Sequence, residues 1–128
     1  MESKYLIKKG QGRSEPIRDL ENASRIILVD EAQVGARDIT FGFSRFEPHT
    51  SIHKKHLHAE AEEIMYILSG KGRGGVNDEE FEMIQGDTLW VPRGAVHWFY
   101  NPFDEPCEFL FLYTRPSLQT AGYRIVGS

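Results

Sequence analysis

The most informative segment of this chain is residues 56–70, which read HLHAEAEEIMYILSG. Side chains at alternate positions of a β-strand point to one face, so the imidazoles of His56 and His58 can converge on a single metal ion. Glu63 begins an apolar run that we interpret as the next strand. We expect residues 59–62 to be a hairpin connection that returns the Glu63 carboxylate beside the histidines. Two histidines and a carboxylate on one surface are typical of a divalent-metal site with open positions.

A second segment supplies a fourth candidate ligand. Residues 86–101 read GDTLWVPRGAVHWFYN, a G-x5-P-x-G-x2-H-x3-N spacing whose histidine is His97. The two segments together resemble the two motifs of the cupin superfamily, of which the first is HxH-x4-E-x6-G, and the resemblance extends over roughly residues 37–115. One departure is visible, because Thr50 stands where the first motif usually begins with glycine.

The distribution of apolar residues predicts an all-β fold. Short apolar runs follow one another at the spacing of a barrel, and no segment keeps a 3.6-residue period over ten or more positions. The resemblance implies a more specific architecture, the double-stranded β-helix or jelly-roll barrel of cupins. The runs that we expect to form strands are 25–30, 38–47, 56–58, 63–68, 71–76, 80–83, 88–91, 96–100 and 108–113.

The length of 128 residues suits one domain with one core. We assign residues 31–128 to the barrel, and residues 1–30 to an N-terminal arm and edge strand that packs on a dimer partner. An open jelly-roll sheet leaves edge strands to be covered, and residues 26–29, IILV, are apolar enough to add a strand or bury a shared face. We therefore expect a homodimer, the commonest symmetric assembly.

Charge and cysteine content exclude several classes of protein. The net charge is −4 and no basic stripe exists to neutralise phosphates, so we expect no nucleic-acid partner. No apolar run reaches membrane-spanning length and the N-terminus lacks an apolar targeting segment, so we expect a cytoplasmic protein without membrane association. Cys107, the single cysteine, cannot form an internal disulfide and is interpreted as a buried, inert thiol.

Other polar residues compete with these ligands. Glu60 and Glu62 are alternatives to Glu63, but strand alternation places Glu62 on the opposite face, and the seven-residue step to the motif glycine favours Glu63. We interpret His49 and His53 as loop residues at the rim of the site. A vestigial site that has lost its metal is the alternative to a working one, and the retention of all four ligand residues favours the working site.

Strand alternation also predicts residues of a substrate pocket. Those that share a face with one of the ligands are Met65, Ile67, Phe99 and, if its strand extends that far, Lys54. Arg45 lies in the strand before the site, where it could bind an anionic substrate or form a surface ion pair, and the sequence leaves both open. No titratable side chain is singled out as a general base.

Three imidazoles and one carboxylate predict one divalent transition metal per chain, without choosing among manganese, iron, cobalt, nickel, copper and zinc. The resemblance implies an enzyme in which the metal is a Lewis acid or oxygen-activating centre for a small oxygen-rich acid or sugar derivative. The reaction classes are dioxygenase, isomerase, decarboxylase and lyase. The alternative is a non-catalytic metal- and ligand-binding module that serves as a sensor, carrier or storage protein. We favour the enzyme because the chain has no attached DNA-binding region.

Overall fold

The computed structural model describes residues 3–17, 20–51 and 54–126. Almost all of its regular structure is β-strand. In chain order the elements are β1 (Arg13–Pro16), β2 (Ala23–Val29), α1 (Glu31–Val34), β3 (Thr40–Phe46), β4 (His56–His58), β5 (Glu63–Ser69), β6 (Lys71–Val76), β7 (Glu79–Ile84), β8 (Thr88–Val91), β9 (His97–Tyr100), β10 (Cys107–Tyr113) and β11 (Tyr123–Ile125).

The strands form two antiparallel sheets. One has the order β1-β2-β3-β10-β5-β8, and the other has the order β11-β4-β9-β6-β7. Neighbours that are distant in sequence, such as β3 and β10 or β6 and β9, give the crossovers of a jelly roll. The predicted all-β, double-sheet barrel is thereby confirmed. No helix in the described ranges has the length and apolar character needed to cross a membrane.

The core lies between the sheets and is rich in aromatic rings. Alternate residues of β3, β5 and β10 are buried, as strand geometry requires of a sheet with one inner face. Phe99 packs edge-to-face on Phe46 at 5.0 Å between ring centroids and lies 4.8 Å from Phe109. Burial of one such side chain stabilises the fold by about 1.5–3 kcal/mol. The two sheets are therefore held together largely by rings that meet at the centre of the barrel.

Glycines of β6 make room for the side chains of β9. A Cβ atom at Gly72 would overlap the ring of Phe99, and one at Gly75 would overlap the indole of Trp98. Gly94, in the turn before β9, has φ +75°, a backbone conformation that glycine adopts without steric cost. These positions allow β9 to lie close against β6 and so fix the strand that carries His97.

The connection between β4 and β5 differs from the expected hairpin. β4 and β5 lie in different sheets, so residues 59–62 cross from one sheet to the other. Ala59 and Glu60 donate backbone hydrogen bonds to the carbonyls of Gly122 and Ala121, at 3.1 and 2.9 Å. The C-terminal segment thus holds this connection. The hairpin prediction was wrong because a connection of four residues can form either a hairpin or a short crossover between two sheets.

The N-terminal strands belong to the same barrel. β1 pairs with β2, β2 pairs with β3, and Ile17, Ala23 and Ile27 are part of the core. β1 and β2 are thus strands of the six-stranded sheet, in which β1 lies at the edge. The division of the chain into an arm with an edge strand, residues 1–30, and a barrel, residues 31–128, stays a prediction. The packing of this segment on a partner stays a prediction.

Cys107 lies in β10 and is fully buried. Burial, together with the neighbouring charge of Glu108, raises the pKa of its thiol to about 12. The thiol is therefore protonated at neutral pH and unreactive as a nucleophile, as the sequence predicted.

Candidate metal centre

The four predicted ligands meet inside the barrel. His56 and His58 lie on β4, and His97 lies on the adjacent strand β9, with His56 directly opposite His97. Glu63 begins β5 in the other sheet and faces the histidines across the interior. One ligand atom from each residue lies within 4.8 Å of the other three, and all four residues are buried. This spread is compact enough for a single ion to contact all four.

Backbone carbonyls orient two of the imidazoles. His56 Nδ1 lies 2.8 Å from the carbonyl oxygen of Lys54, and His97 Nδ1 lies 3.1 Å from that of Ala95. Because a carbonyl only accepts, each Nδ1 is the donor, and the neutral ring keeps its lone pair on Nε2. Metal-binding histidines in proteins are commonly fixed in this way.

His58 provides the test of whether the cluster fits a metal. Both of its ring nitrogens are buried and neither has a hydrogen-bond partner among the described residues. Its Nε2 lies 3.3 Å from Oε1 of Glu63, but without hydrogen-bond geometry. Buried polar atoms are normally satisfied, and an ion between these residues would satisfy this nitrogen. The donor set, three imidazoles and a carboxylate, fits a divalent transition metal.

The carboxylate at the centre is ionised. Burial raises the pKa of Glu63, but the contacts of its carboxylate with the imidazoles of His58 and His97 outweigh burial and hold the pKa well below its ordinary value. For His97, burial lowers the pKa, while its contact with Glu63, 3.0 Å from Nε2 to Oε1, more than compensates and raises it. Glu63 is thus an anionic ligand at neutral pH, and a metal that binds His97 competes with a proton for its Nε2.

Two tyrosines that the sequence reasoning missed pack on the ligand rings. Tyr113 of β10 lies 4.7 Å from the His58 ring, and Tyr123 of β11 lies 5.1 Å from the His56 ring, measured between centroids. Strand alternation within 107–113 could have placed Tyr113 inside the barrel. Tyr123 gave no signal, because β11 is only three residues long and joins the sheet beside β4.

Two cavities adjoin the centre. The inner cavity, of about 430 Å³ including its open mouth, borders His56, Glu63 and His97. The outer cavity, of about 760 Å³ including its mouth, borders His56, Tyr123, Pro16 and Leu118. The residues that line both cavities are Ile17, Arg25, His56 and Tyr113. The cavities therefore adjoin, and the metal ligands lie within reach of a molecule that enters from outside.

The structure brings some of the predicted pocket residues to the inner cavity and leaves others away from it. Met65 and Phe99 line this cavity. Ile67 is fully buried in the core and borders neither cavity. The side chain of Lys54 is exposed, and the residue contributes its carbonyl to His56.

Arg45 is on the outer face of its sheet. Its neighbours Ser44 and Phe46 point inward and line the inner cavity, so alternation turns Arg45 outward. There its guanidinium contacts Glu47 at 2.6 Å and Glu108 at 2.8 Å. The sequence left open whether Arg45 binds an anionic substrate or forms a surface ion pair, and the structure shows the surface ion pair.

The competing polar residues also lie away from the centre. Glu62 accepts a hydrogen bond from Trp90 Nε1 at 2.9 Å on the barrel exterior, and Glu60 is exposed. His49 has an exposed side chain that contacts Asp104 at 2.7 Å. His53 lies outside the described residues.

Comparison with known proteins identifies a family and several similar proteins. The cupin domain family matches residues 42–113. An acireductone dioxygenase of Leptospira interrogans is 31% identical over 105 residues, which covers 77% of this chain and 54% of the relative. The chain spans about half or less of the length of the first curated relatives that it matches.

Solved structures show the same barrel. The polyketide cyclase RemF from Streptomyces resistomycificus has a TM-score of 0.77 at 22% identity, covering 96% of this chain and 85% of the other, a likeness of fold alone. Oxalate decarboxylase from Bacillus subtilis has a TM-score of 0.68 at 28% identity, covering 80% of this chain and 28% of the other. Another structure of that decarboxylase is described in terms of its Mn(II) centers.

We predict that the untagged protein binds one divalent transition metal per chain. The His56→Ala/His58→Ala double variant should lower the affinity by more than about 100-fold, since losing an outer-sphere partner alone costs 10–100-fold. Elemental analysis after dialysis measures the content. Glu62→Gln is the matched control and should keep the metal. Stoichiometric metal in the double variant, or loss of metal in Glu62→Gln with retention in Glu63→Gln, would contradict the assignment.

Proposed function

The chain belongs to the cupin family, and we propose that it is a metal-dependent enzyme acting on a small oxygen-rich acid or sugar derivative. The observation that carries the proposal is the buried cluster of three histidines and one glutamate that borders an open cavity. Support comes from relatives named as a dioxygenase and a decarboxylase. The reaction belongs to the dioxygenase, isomerase, decarboxylase or lyase classes.

A bound divalent metal would supply a Lewis acid or an oxygen-activating centre for a substrate oxygen. The residues of this chain supply the environment. Glu63 stays anionic and His56 presents Nε2 while its Nδ1 is held by a carbonyl. Burial, then the charge of Glu63, raises the pKa of Tyr113, so its hydroxyl keeps its proton at neutral pH. Aromatic walls exclude water, which strengthens electrostatic interactions inside the cavity.

The wall of the inner cavity also sets what can approach the ligands. It is lined by Phe46, Phe99, Phe109 and Phe111, with Arg25 and Ser44 as polar members. Apolar walls with a few placed polar groups are typical of sites for small organic molecules.

A cytoplasmic location remains a prediction from the sequence.

The test of the proposed function is metal-dependent turnover. The protein is first depleted of metal and then reloaded, in separate samples, with manganese, iron, cobalt, nickel, copper or zinc. Each sample is screened for turnover of hydroxy acids, keto acids, sugar acids and oxalate, with and without oxygen. We expect turnover with at least one metal, and its loss in Glu63→Gln but not in Glu62→Gln. Stoichiometric metal and ligand binding with no turnover under any condition would instead identify a non-catalytic binding module.

We also propose that the protein is a homodimer, paired through an apolar face on the outside of the six-stranded sheet. This face consists of two cross-strand rows, Phe43–Leu110–Tyr66 and Phe41–Leu112–Ile64–Trp90. Trp90 is 59% exposed and Tyr66 is 43% exposed. A continuous apolar face of this kind marks an interface, and two copies of one sheet face can pack about a two-fold axis at a separation of about 10 Å.

Sedimentation of a charged variant tests the homodimer. Trp90→Glu introduces a carboxylate into the apolar face and should convert the dimer into a monomer at tens of micromolar. Phe81→Glu is the control, because Phe81 is also partly exposed but lies on β7 of the other sheet. A wild-type monomer at this concentration, or equal dissociation of both variants, would refute the proposal.

A further inference from the structure

A fixed positive charge lies beside the metal centre in a position that the sequence reasoning did not single out. Arg25, on β2, lines both the inner cavity, which Glu63 and His97 also line, and the outer cavity. Its side chain is 15% exposed. A guanidinium remains charged at any physiological pH. A molecule that passes from the outer cavity to the metal ligands therefore passes this charge.

Neighbouring side chains hold the Arg25 guanidinium in place. Glu15, its direct cross-strand partner, accepts a hydrogen bond from Nε at 2.8 Å and lies 2.6 Å from Nη2. The Tyr113 hydroxyl lies 3.4 Å from Nη1. A guanidinium has five N–H donors, more than these contacts use. The group is thus oriented by its neighbours and still has donors for an anion.

The charge balance around Arg25 also favours an anionic ligand. Glu15 is shared with Arg13, 3.5 Å away, and Arg13 pairs at 2.7 Å with Asp30. This network of two arginines and two carboxylates is neutral as a whole. A divalent ion beside the single carboxylate Glu63 adds a net positive charge. A bound metal would therefore attract the negative charge of a ligand, and Arg25 lies where its guanidinium could contact that charge directly.

The outer cavity offers a different surface to the rest of such a ligand. Pro16, Ile17, Leu118 and Tyr123 line it, and Ile17 is part of the barrel core. Without its open mouth the outer cavity has a volume of about 340 Å³, which is at the lower end of the range of cavities that bind small organic ligands. A two-carbon anion would leave this apolar surface in contact with water. The cavity therefore fits an acid that carries an apolar group.

We propose that Arg25 determines substrate specificity by binding an anionic oxygen of an amphipathic acid, whose apolar group lies in the outer cavity against Ile17 and Leu118. The proposal rests on the proposed function, in which the acid reaches a metal held by the four ligands. It narrows the substrate class from small oxygen-rich acids in general to those with an apolar or aromatic body.

Arg45 provides a matched control for Arg25. The two arginines lie on adjacent strands and both are paired with carboxylates. Arg25 is opposite Ser44, whose side chain lines the inner cavity, whereas Arg45 is opposite Ser24 and points to the exterior. Replacement of either arginine removes one positive charge from the same sheet. Only the replacement of Arg25 removes it from the cavities.

The experiment measures the binding of two keto acids to cobalt-loaded protein. Phenylpyruvate and pyruvate share the same chelating end, and only phenylpyruvate has an apolar body. Titrations follow the visible cobalt spectrum. We expect phenylpyruvate to bind at least about 10-fold more tightly than pyruvate. Arg25→Gln should weaken phenylpyruvate binding by about 10- to 100-fold, as expected for loss of a hydrogen bond to a charged group, while Arg45→Gln should change it less than about twofold.

Metal content and folding are measured on the same samples. Arg25→Gln should keep full cobalt and a cooperative thermal unfolding curve. If it does not fold, Arg25→Lys, which keeps the charge but loses the planar fork, serves in its place with an expected loss of about 3- to 10-fold.

Two results would overturn the proposal. If the Arg25 variant has full cobalt content and an unchanged affinity for phenylpyruvate, Arg25 does not bind the acid. If pyruvate and phenylpyruvate bind with equal affinity, the outer cavity does not bind the apolar group of the acid. Failure of the wild-type protein to bind cobalt is distinguishable from both, because it would overturn the proposed metal centre itself.

Discussion

The interaction on which the centre depends is the contact between Glu63 on one sheet and the histidines of the other. A carboxylate buried inside a barrel is costly unless it is paired, and here Oε1 lies 3.0 Å from His97 Nε2 and 3.3 Å from His58 Nε2. The contact therefore joins the two sheets through polar groups, while aromatic rings join them elsewhere by apolar packing. Because each sheet supplies part of the ligand set, the centre is complete only when the barrel is closed.

Much of this could be predicted from the sequence, for reasons specific to β-structure. Strand alternation put His56 and His58 on one face, and the same rule turned Glu62 away from Glu63. The alternation of side chains along a strand does not determine which strands become neighbours in a sheet. The sequence predicts a hairpin between β4 and β5, yet the backbone of these residues forms hydrogen bonds with the C-terminal segment. Arg25 and Tyr123 were missed for the same reason, because only long-range pairing brings their strands to the site.

The candidate ligands and the residues of the outer cavity differ in their position relative to the matched domain. All four candidate metal ligands fall within residues 42–113, the segment that matches the cupin domain. Arg25 and Ile17 precede this segment, while Leu118 and Tyr123 follow it, and these residues line the outer cavity. The candidate metal centre thus lies within the segment that matches the family, and residues before and after that segment line the outer cavity beside it.

X-ray absorption of protein loaded with one equivalent of cobalt reports the atoms bound to the metal and therefore tests the assignment of the four ligands. We expect scattering from three imidazole rings together with oxygen ligands, and loss of one imidazole contribution in His97→Ala. A sulfur ligand, or a spectrum with oxygen alone, would contradict it. Either result would mean that the ion binds elsewhere than between Glu63 and the three histidines.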